Sequence, residues 1–161
     1  MKKLLVVYSS MTGGSAQMAR VAADAARSNV EVHLQTAVET RSAEVLAADG
    51  YIFVSPENLG SMAGLMKDFF DRVYYDALDQ INGRPYALLV CAGSDGTGVI
   101  RQVERIATGL RLKAIAPPLI IITHAQTRET ILAAKHIAEE DLRRCADVGA
   151  AFAEGLAAGI F

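Results

Sequence analysis

The chain has 161 residues, enough for one domain with a single core, and its formal net charge is −2. It has no basic stripe, which argues against a nucleic-acid partner. Hydrophobic residues make up 52% of the chain, yet no apolar run reaches the ~18 to 20 residues that a membrane span requires. The apolar excess therefore favours a subunit interface or a ligand site over a bilayer.

The two cysteines, Cys91 and Cys145, are far apart and lack the spacing of a metal or redox motif. Both lie in apolar patterns, which predicts two buried thiols and no metal site. The apolar stretch after Met1-Lys2-Lys3 is too short for the core of a signal peptide. We therefore expect a cytoplasmic protein.

Predicted strands alternate with predicted helices along the whole chain. Strands are predicted at 3–8, 30–36, 50–55, 86–92 and 119–123, and helices at 15–27, 42–48, 62–74, from 97 to about 109, and 142–156. The stretch 56–61 between the third strand and the third helix is predicted as a loop. Pro117 and Pro118 would disturb a central strand, so the fifth strand is predicted at a sheet edge.

This alternation predicts an α/β fold: a doubly wound, five-stranded parallel sheet of order 2-1-3-4-5 with helices on both faces. No linker or repeat interrupts the pattern, so residues 1–161 are predicted to form a single domain. The order places the ends of strands one, three and four side by side. Each of these three ends is followed by a loop typical of ligand binding, so the loops should converge on one crevice.

The first loop is rich in hydroxyl groups and glycine and contains no lysine or arginine. Its residues are Ser9, Ser10, Met11, Thr12, Gly13, Gly14 and Ser15. Unpaired N–H groups at a helix start, together with hydroxyl donors, suit a phosphate monoester. The alternative is an ordinary strand-to-helix turn with serine as the N-cap. The nucleoside-triphosphate loop G-x-x-x-x-G-K-[ST] and the dinucleotide motif G-x-G-x-x-G are both absent.

The three loops resemble those of the flavodoxin-like superfamily of FMN proteins. The phosphate loop of that superfamily, T/S-x-T-G-x-T/S, is matched by residues 10–15. The second loop, 55–62, continues into Lys67-Asp68-Phe69-Phe70-Asp71-Arg72. It is similar to the S-P-x-x-x-G-x-M-…-K-x-F-x-D-R signature of NAD(P)H-dependent FMN reductases and of quinone reductases of the tryptophan-repressor-binding-protein type.

The resemblance implies an FMN cofactor whose phosphate is held by the first loop. It also implies that the isoalloxazine ring lies between two further loops, formed by Pro56, Glu57, Asn58, Leu59, Gly60, Ser61 and Met62 on one side and by Ala92, Gly93, Ser94, Asp95, Gly96 and Gly98 on the other. A reductase of this family passes hydride from NAD(P)H to flavin N5 and then to a quinone or similar small acceptor. The flavin carries that chemistry, so no catalytic side chain is expected.

Two observations favour a reductase over a flavodoxin-type electron carrier, which remains the alternative. Neither ring loop contains an aromatic residue and the chain has no Trp, so one flavin face should be open to a second reactant. Carrier flavodoxins are typically strongly acidic, whereas a net charge of −2 gives little long-range steering. A non-catalytic binding module on the same scaffold is a third alternative.

Several further residues carry two interpretations each. His124 ends the fifth predicted strand and could orient a substrate, or be an ordinary surface residue. Glu57 and Asp95 could lower the flavin potential, or be solvated loop carboxylates. The helix at 62–74 is apolar on more than one stripe, which favours a homodimer or homotetramer over a monomer. A phosphorylated receiver domain and a tyrosine phosphatase are excluded, because Ser55 and Thr97 stand where the essential aspartate and arginine would be.

Overall fold

The computed structural model describes residues 1–161. It shows a parallel sheet that is covered by helices on both faces. The strands are β1 (Lys3–Tyr8), β2 (Glu31–Thr36), β3 (Gly50–Asn58), β4 (Ser61–Met62), β5 (Pro85–Ala92), β6 (Lys113–Ala114) and β7 (Leu119–Ile122). The helices are α1 (Gly14–Ala26), α2 (Ser42–Ala47), α3 (Gly64–Ala77), α4 (Thr97–Gly109), α5 (Arg128–Leu132) and α6 (Glu139–Ala158). None of these helices is long and apolar enough to cross a membrane.

The main sheet has the order β2-β1-β3-β5, all parallel, with β6 and β7 both paired to the far side of β5. Because β5 and β7 are the fourth and fifth predicted strands, the predicted order 2-1-3-4-5 is confirmed. The doubly wound α/β class is confirmed with it. Both β2 and β7 are edge strands, as the predicted strand order requires.

The last edge of the sheet is split, a feature the sequence did not reveal. The short strand β6 pairs with Pro85 and Tyr86, and β7 pairs with residues 89–92 further along β5. Between them lie Pro117 and Pro118, which have no N–H group to continue a ladder. The split therefore follows from the two prolines, but two residues are too few for β6 to produce a strand pattern.

Alternating side chains of the sheet feed two separate cores, as expected for strands covered on both faces. Leu5 and Val7 of β1 pack with α2, α3 and α4, whereas Leu4 and Val6 pack with α1 and α6. The prediction of two buried thiols is confirmed, since Cys91 and Cys145 both belong to the second core.

The predicted loop at 56–61 and the predicted helix start at Met62 are wrong. β3 continues to Asn58, turns at Leu59 and Gly60, and pairs antiparallel with β4, so that Glu57 lies opposite Met62. The third helix begins only at Gly64. Met62 is buried in the same core as α3. Its apolar side chain therefore fits the helical spacing although its backbone is extended.

Candidate functional site

The carboxyl ends of β1, β3 and β5 open into a cleft of about 540 Å³, a size typical of small-molecule sites. The three loops converge on it as the strand order required. The predicted site residues that line it are Ser10, Met11, Thr12, Gly14, Ser15, Pro56, Glu57, Asn58, Leu59, Gly60, Ala92, Gly93 and Ser94. Those that lie outside its lining are Ser9, Gly13, Ser61, Met62, Asp95, Gly96, Gly98 and His124.

The first loop connects β1 to α1, and a glycine forms the N-cap of the helix. Gly13 occupies the N-cap with φ of 98°, in the left-handed region that favours glycine, and no side chain caps the helix. The Gly13 N–H donates to Ser10 Oγ at 3.1 Å, which fixes the turn. Serine is thus not the N-cap, and the N–H groups of the first helical turn face the cleft end of β1 without partners within the helix.

The hydroxyl of Ser15 is the clearest sign of a ligand in this cleft. Ser15 is 2% exposed, lines the cleft, and its Oγ has no hydrogen-bond partner. A buried hydroxyl without a partner is unfavourable, and native proteins seldom retain one without a reason. An acceptor placed at the start of α1 would satisfy it, and the helix dipole there favours a negative charge. The donor set therefore fits a phosphate monoester.

Cys91 lies at the base of the cleft directly beside the phosphate loop. A Cβ added to Gly14 would lie 2.8 Å from Cys91 Sγ, so the phosphate loop packs directly against this side chain. Burial raises the pKa of the Cys91 thiol to about 11, and the positive charge of Lys135 opposes that rise. The thiol is protonated at neutral pH, which makes it a packing group and not a nucleophile.

A segment from the other end of the chain closes the cleft, and no local pattern pointed to it. This return segment, residues 123–138, contributes Thr123, Ala125, Gln126, Ile131 and Lys135 to the lining. The Lys135 N–H donates to the carbonyl oxygen of Thr12 at 2.9 Å. The first loop itself contains no lysine or arginine, and the structure brings Lys135 to the lining of the same cleft.

The ammonium group of Lys135 is held at the end of α5. Its Nζ donates to the carbonyl oxygens of Thr130, Ile131 and Ala133 at 2.8, 2.8 and 2.7 Å. These carbonyls belong to the last turn of α5 and the residue after it, where a cation is favoured. Lys135 thus orders the return segment and keeps a positive charge at the cleft wall.

The two carboxylates considered for tuning the flavin are both bound at the start of α4. Glu57 Oε2 accepts the N–H of Gly98 at 3.1 Å, and Asp95 Oδ1 accepts the N–H of Thr97 at 3.2 Å. Helix N-termini favour such negative charges. Glu57 lines the cleft, whereas Asp95 is exposed and lies outside the lining.

His124 lies outside the cleft, in a neighbouring groove. That groove, also about 540 Å³, is lined by β7 and the return segment and includes His136 and Asp141. The two sites share Thr123, Ala125 and Lys135 as a common wall. No group of three His, Cys, Asp or Glu side chains is arranged to hold a metal ion.

The second half of the signature on α3 has a structural role in this chain. Arg72 donates to the carbonyl oxygens of Thr40 at 2.8 Å and Ala37 at 2.6 Å, and to Asp68 Oδ2 at 2.8 Å. It thereby joins α3 to the loop that follows β2. Arg72 is absent from the cleft lining, and so is Asp68.

Comparison with known proteins identifies the family of this chain. The family model described as NADPH-dependent FMN reductase matches residues 32–127, more than half of the chain. A protein named flavodoxin from Aquifex aeolicus is 39% identical over 100 residues, covering 61% of this chain and 52% of that protein. An NAD(P)H dehydrogenase (quinone) from Acidithiobacillus ferrooxidans is 35% identical over 94 aligned positions, covering 45% of this chain and 47% of that protein.

The chain spans about half the length of these curated relatives. Among solved structures, a flavodoxin from the domain Archaea has a TM-score of 0.77 at 19% identity, covering 96% of this chain and 98% of that one. This likeness supports the flavodoxin-like architecture over the whole chain. Through the match at residues 32–127, which spans β3, the 57–62 hairpin and β5, the chain belongs to the NADPH-dependent FMN reductase family.

Proposed function

We propose that the cleft binds FMN and that the chain is an NAD(P)H-dependent oxidoreductase passing electrons to a quinone or a similar small acceptor. The observation that carries the proposal is the buried Ser15 hydroxyl, which has no partner and lies at the start of α1. Membership of the FMN reductase family supports the same cofactor.

The phosphate end of the ligand would occupy the first loop. Ser10 Oγ accepts the Gly13 N–H and keeps its own O–H to donate, so the hydroxyls of Ser10, Thr12 and Ser15 are all available as donors. The free N–H groups of the first turn of α1 add further donors along the helix dipole. Lys135 contributes positive charge from the cleft wall without leaving the end of α5.

The ring end would lie between the β3–β4 hairpin and the loop after β5. Pro56, Glu57, Asn58, Leu59 and Gly60 line one side, and residues 92–94 line the other. FMN, when bound, supplies the redox chemistry, and the protein supplies position and exclusion of water. Gly93 packs so closely that a Cβ there would lie 2.7 Å from the carbonyl oxygen of Ala125, so the backbone forms that wall.

The absence of aromatic side chains in the cleft favours a reductase. None of the lining residues is Phe, Tyr or Trp. A ring held without an aromatic side chain against it leaves room for a nicotinamide or a quinone to stack on its open face. The modest net charge of −2 also provides little steering toward a protein partner.

A flavodoxin-type electron carrier is the second candidate, because the relative from Aquifex aeolicus carries the name flavodoxin. Such a carrier would bind FMN in the same cleft but would not oxidise NAD(P)H itself. The two candidates therefore share the cofactor and differ in one measurable reaction.

The test begins with FMN added to the purified, flavin-free chain, followed by absorbance and fluorescence. NADH and NADPH are then supplied separately with benzoquinone, and their oxidation is followed at 340 nm. Oxidation that depends on FMN and quinone supports the reductase. Binding of FMN without oxidation supports the carrier, and no uptake of FMN by the folded chain rejects both.

We also propose a homodimer or homotetramer that works in the cytoplasm. The support is on α3, whose side chains Leu65 and Tyr75 are 55% and 82% exposed although large and apolar. Burial of such side chains against a second copy would remove apolar area from water. Light scattering after size exclusion measures the mass, and a monomer at micromolar concentration would reject the oligomer.

A further inference from the structure

The hairpin at residues 57–62, which forms one wall of the cleft, is too short to be stable on its own. β4 has two residues, and its only sheet partner is the end of β3, where Glu57 pairs with Met62 and Asn58 with Ser61. Short two-stranded hairpins are marginal in water, so something else must keep this one in place.

The turn of the hairpin has an unfavourable backbone conformation, which lowers the stability of the hairpin further. Leu59 has φ of 53° and Gly60 has φ of 74°, both in the left-handed region. That conformation is unfavourable for leucine, and the Leu59 side chain is fully exposed, so burial does not compensate for it. The turn conformation must therefore be stabilised by contacts made elsewhere along the hairpin.

Those contacts come from one face of α4. Gln102 Oε1 accepts the Met62 N–H at 2.9 Å, and Gln102 Nε2 donates to Ser61 Oγ at 3.1 Å. One turn earlier on the helix, the Gly98 N–H donates to Glu57 Oε2 at 3.1 Å. Because positions four apart lie on the same side of a helix, Gly98 and Gln102 both bond to the same hairpin.

The tip of the hairpin also packs against α4 in close van der Waals contact. A Cβ added at Gly98 would lie 1.9 Å from the carbonyl oxygen of Gly60. The helix therefore contacts the hairpin at its tip and holds both of its strands, through Glu57 on one and through Ser61 and Met62 on the other. Gln102 itself does not line the cleft.

We propose that Gln102 is a positioning residue that sets the height of the 57–62 hairpin over the flavin ring. The inference rests on the proposed function, because it assigns the hairpin as the wall against that ring. Gln102 is the one side chain of α4 that bonds two residues of β4, so its loss removes both of these bonds to the returning strand while the bond from Gly98 to Glu57 remains.

The test is the variant Gln102→Met, because methionine has a similar length and helix propensity but cannot form either bond. The first readout is amide hydrogen exchange of Met62 in the flavin-free protein, which does not depend on FMN. Loss of a hydrogen bond worth about 1 kcal/mol predicts exchange roughly fivefold faster. Thr108→Met, an exposed position on the same helix, is the matched control and should leave Met62 exchange unchanged.

The second readout distinguishes binding of the flavin ring from binding of the phosphate. Dissociation constants are measured for FMN and for riboflavin, which has the ring but no phosphate. Gln102→Met should weaken both by a similar factor, roughly three- to tenfold. If wild type binds FMN and the variant binds both flavins as tightly as wild type, the positioning role is overturned.

Two other results are informative in different ways. A loss confined to FMN would place the effect at the phosphate and would also overturn the proposal. If wild type takes up neither flavin, the proposed function itself fails, whereas faster Met62 exchange would still establish that Gln102 holds the hairpin.

Discussion

Gln17 of α1 donates from Nε2 to the carbonyl oxygen of Lys135 at 2.7 Å, across a sequence separation of 118 residues. The same amide group donates to the Gly13 carbonyl at 2.9 Å, and its Oε1 accepts the Ile137 N–H at 3.2 Å. One side chain thus joins the N-cap of α1 to the return segment. The position of the cleft's third wall depends on this link.

We expect Gln17→Leu to lower the free energy of unfolding by about 1–3 kcal/mol, because the partly buried Lys135 carbonyl and Ile137 N–H lose their partner. Urea denaturation measures that loss. Amide exchange of Lys135, whose N–H bonds the Thr12 carbonyl, should become faster as the return segment loosens. Gln80→Leu, at an exposed position, is the matched control, and an equal loss in both variants would contradict the assignment.

Removing the Ser15 hydroxyl should separate stability from binding. Ser15→Ala removes a buried oxygen without a partner, so the flavin-free protein should be as stable as wild type or more stable by up to about 1 kcal/mol. FMN affinity should fall roughly tenfold or more, because hydrogen bonds to charged groups are worth about 1.5–3 kcal/mol.

Riboflavin affinity should be unchanged in Ser15→Ala, since that ligand has no phosphate. Ser10→Ala provides the contrast: it removes the acceptor for the Gly13 N–H and should destabilise the free protein. A Ser15→Ala variant that is destabilised and still binds FMN normally would show that the hydroxyl serves the fold.

Gly14→Ala should be destabilising by about 1–3 kcal/mol, because its Cβ would lie 2.8 Å from Cys91 Sγ in a packed region. Adding Cys91→Ala removes the obstructing sulfur, so the double variant should be more stable than the sum of the single effects. Thermal or urea unfolding of the four proteins measures the coupling.

Gly64→Ala is the control for that cycle. A Cβ at Gly64 meets nothing within 4 Å, and the residue opens α3. Its replacement should be neutral or slightly stabilising. A coupling near zero between Gly14 and Cys91 would mean that the backbone shifts to make room.

The thiols should resist reaction with a disulfide reagent until the protein unfolds. Burial raises the pKa of Cys91 to about 11 and that of Cys145 to about 12, from 9.0 in each case. The thiolate is the reactive form, so reaction with a disulfide reagent at pH 8 should follow unfolding in urea. Fast reaction of either thiol in the folded protein would contradict the burial.

The same pKa values predict how stability depends on pH. Because the folded protein keeps these protons to higher pH than the unfolded chain, their contribution is fully present below about pH 9. It should be lost as pH rises toward 11 and 12. Urea denaturation at pH 8 and pH 10 measures the decline, and Cys145→Ala should reduce its slope.

The sequence by itself determined the sheet and the convergence of three loops on one crevice, because these depend on local patterns. Buried parallel strands appear as continuous apolar runs, and their order places the loops after β1, β3 and β5 together. The small and hydroxyl residues of the loop 9–15 likewise indicated a phosphate site, because that signal is contained in a short stretch of sequence.

Only the tertiary structure decided the roles of Lys135, Gln17 and Gln102. Each acts through a bond to a residue 40 or more positions away, and such contacts leave no periodicity in the sequence. The hairpin at 57–62 was missed for a related reason: its two-residue return strand is too short for an alternating pattern, and α4 holds it from the side. Local spacing encodes burial and chain direction, whereas the partner of a polar side chain is chosen when the packed elements meet.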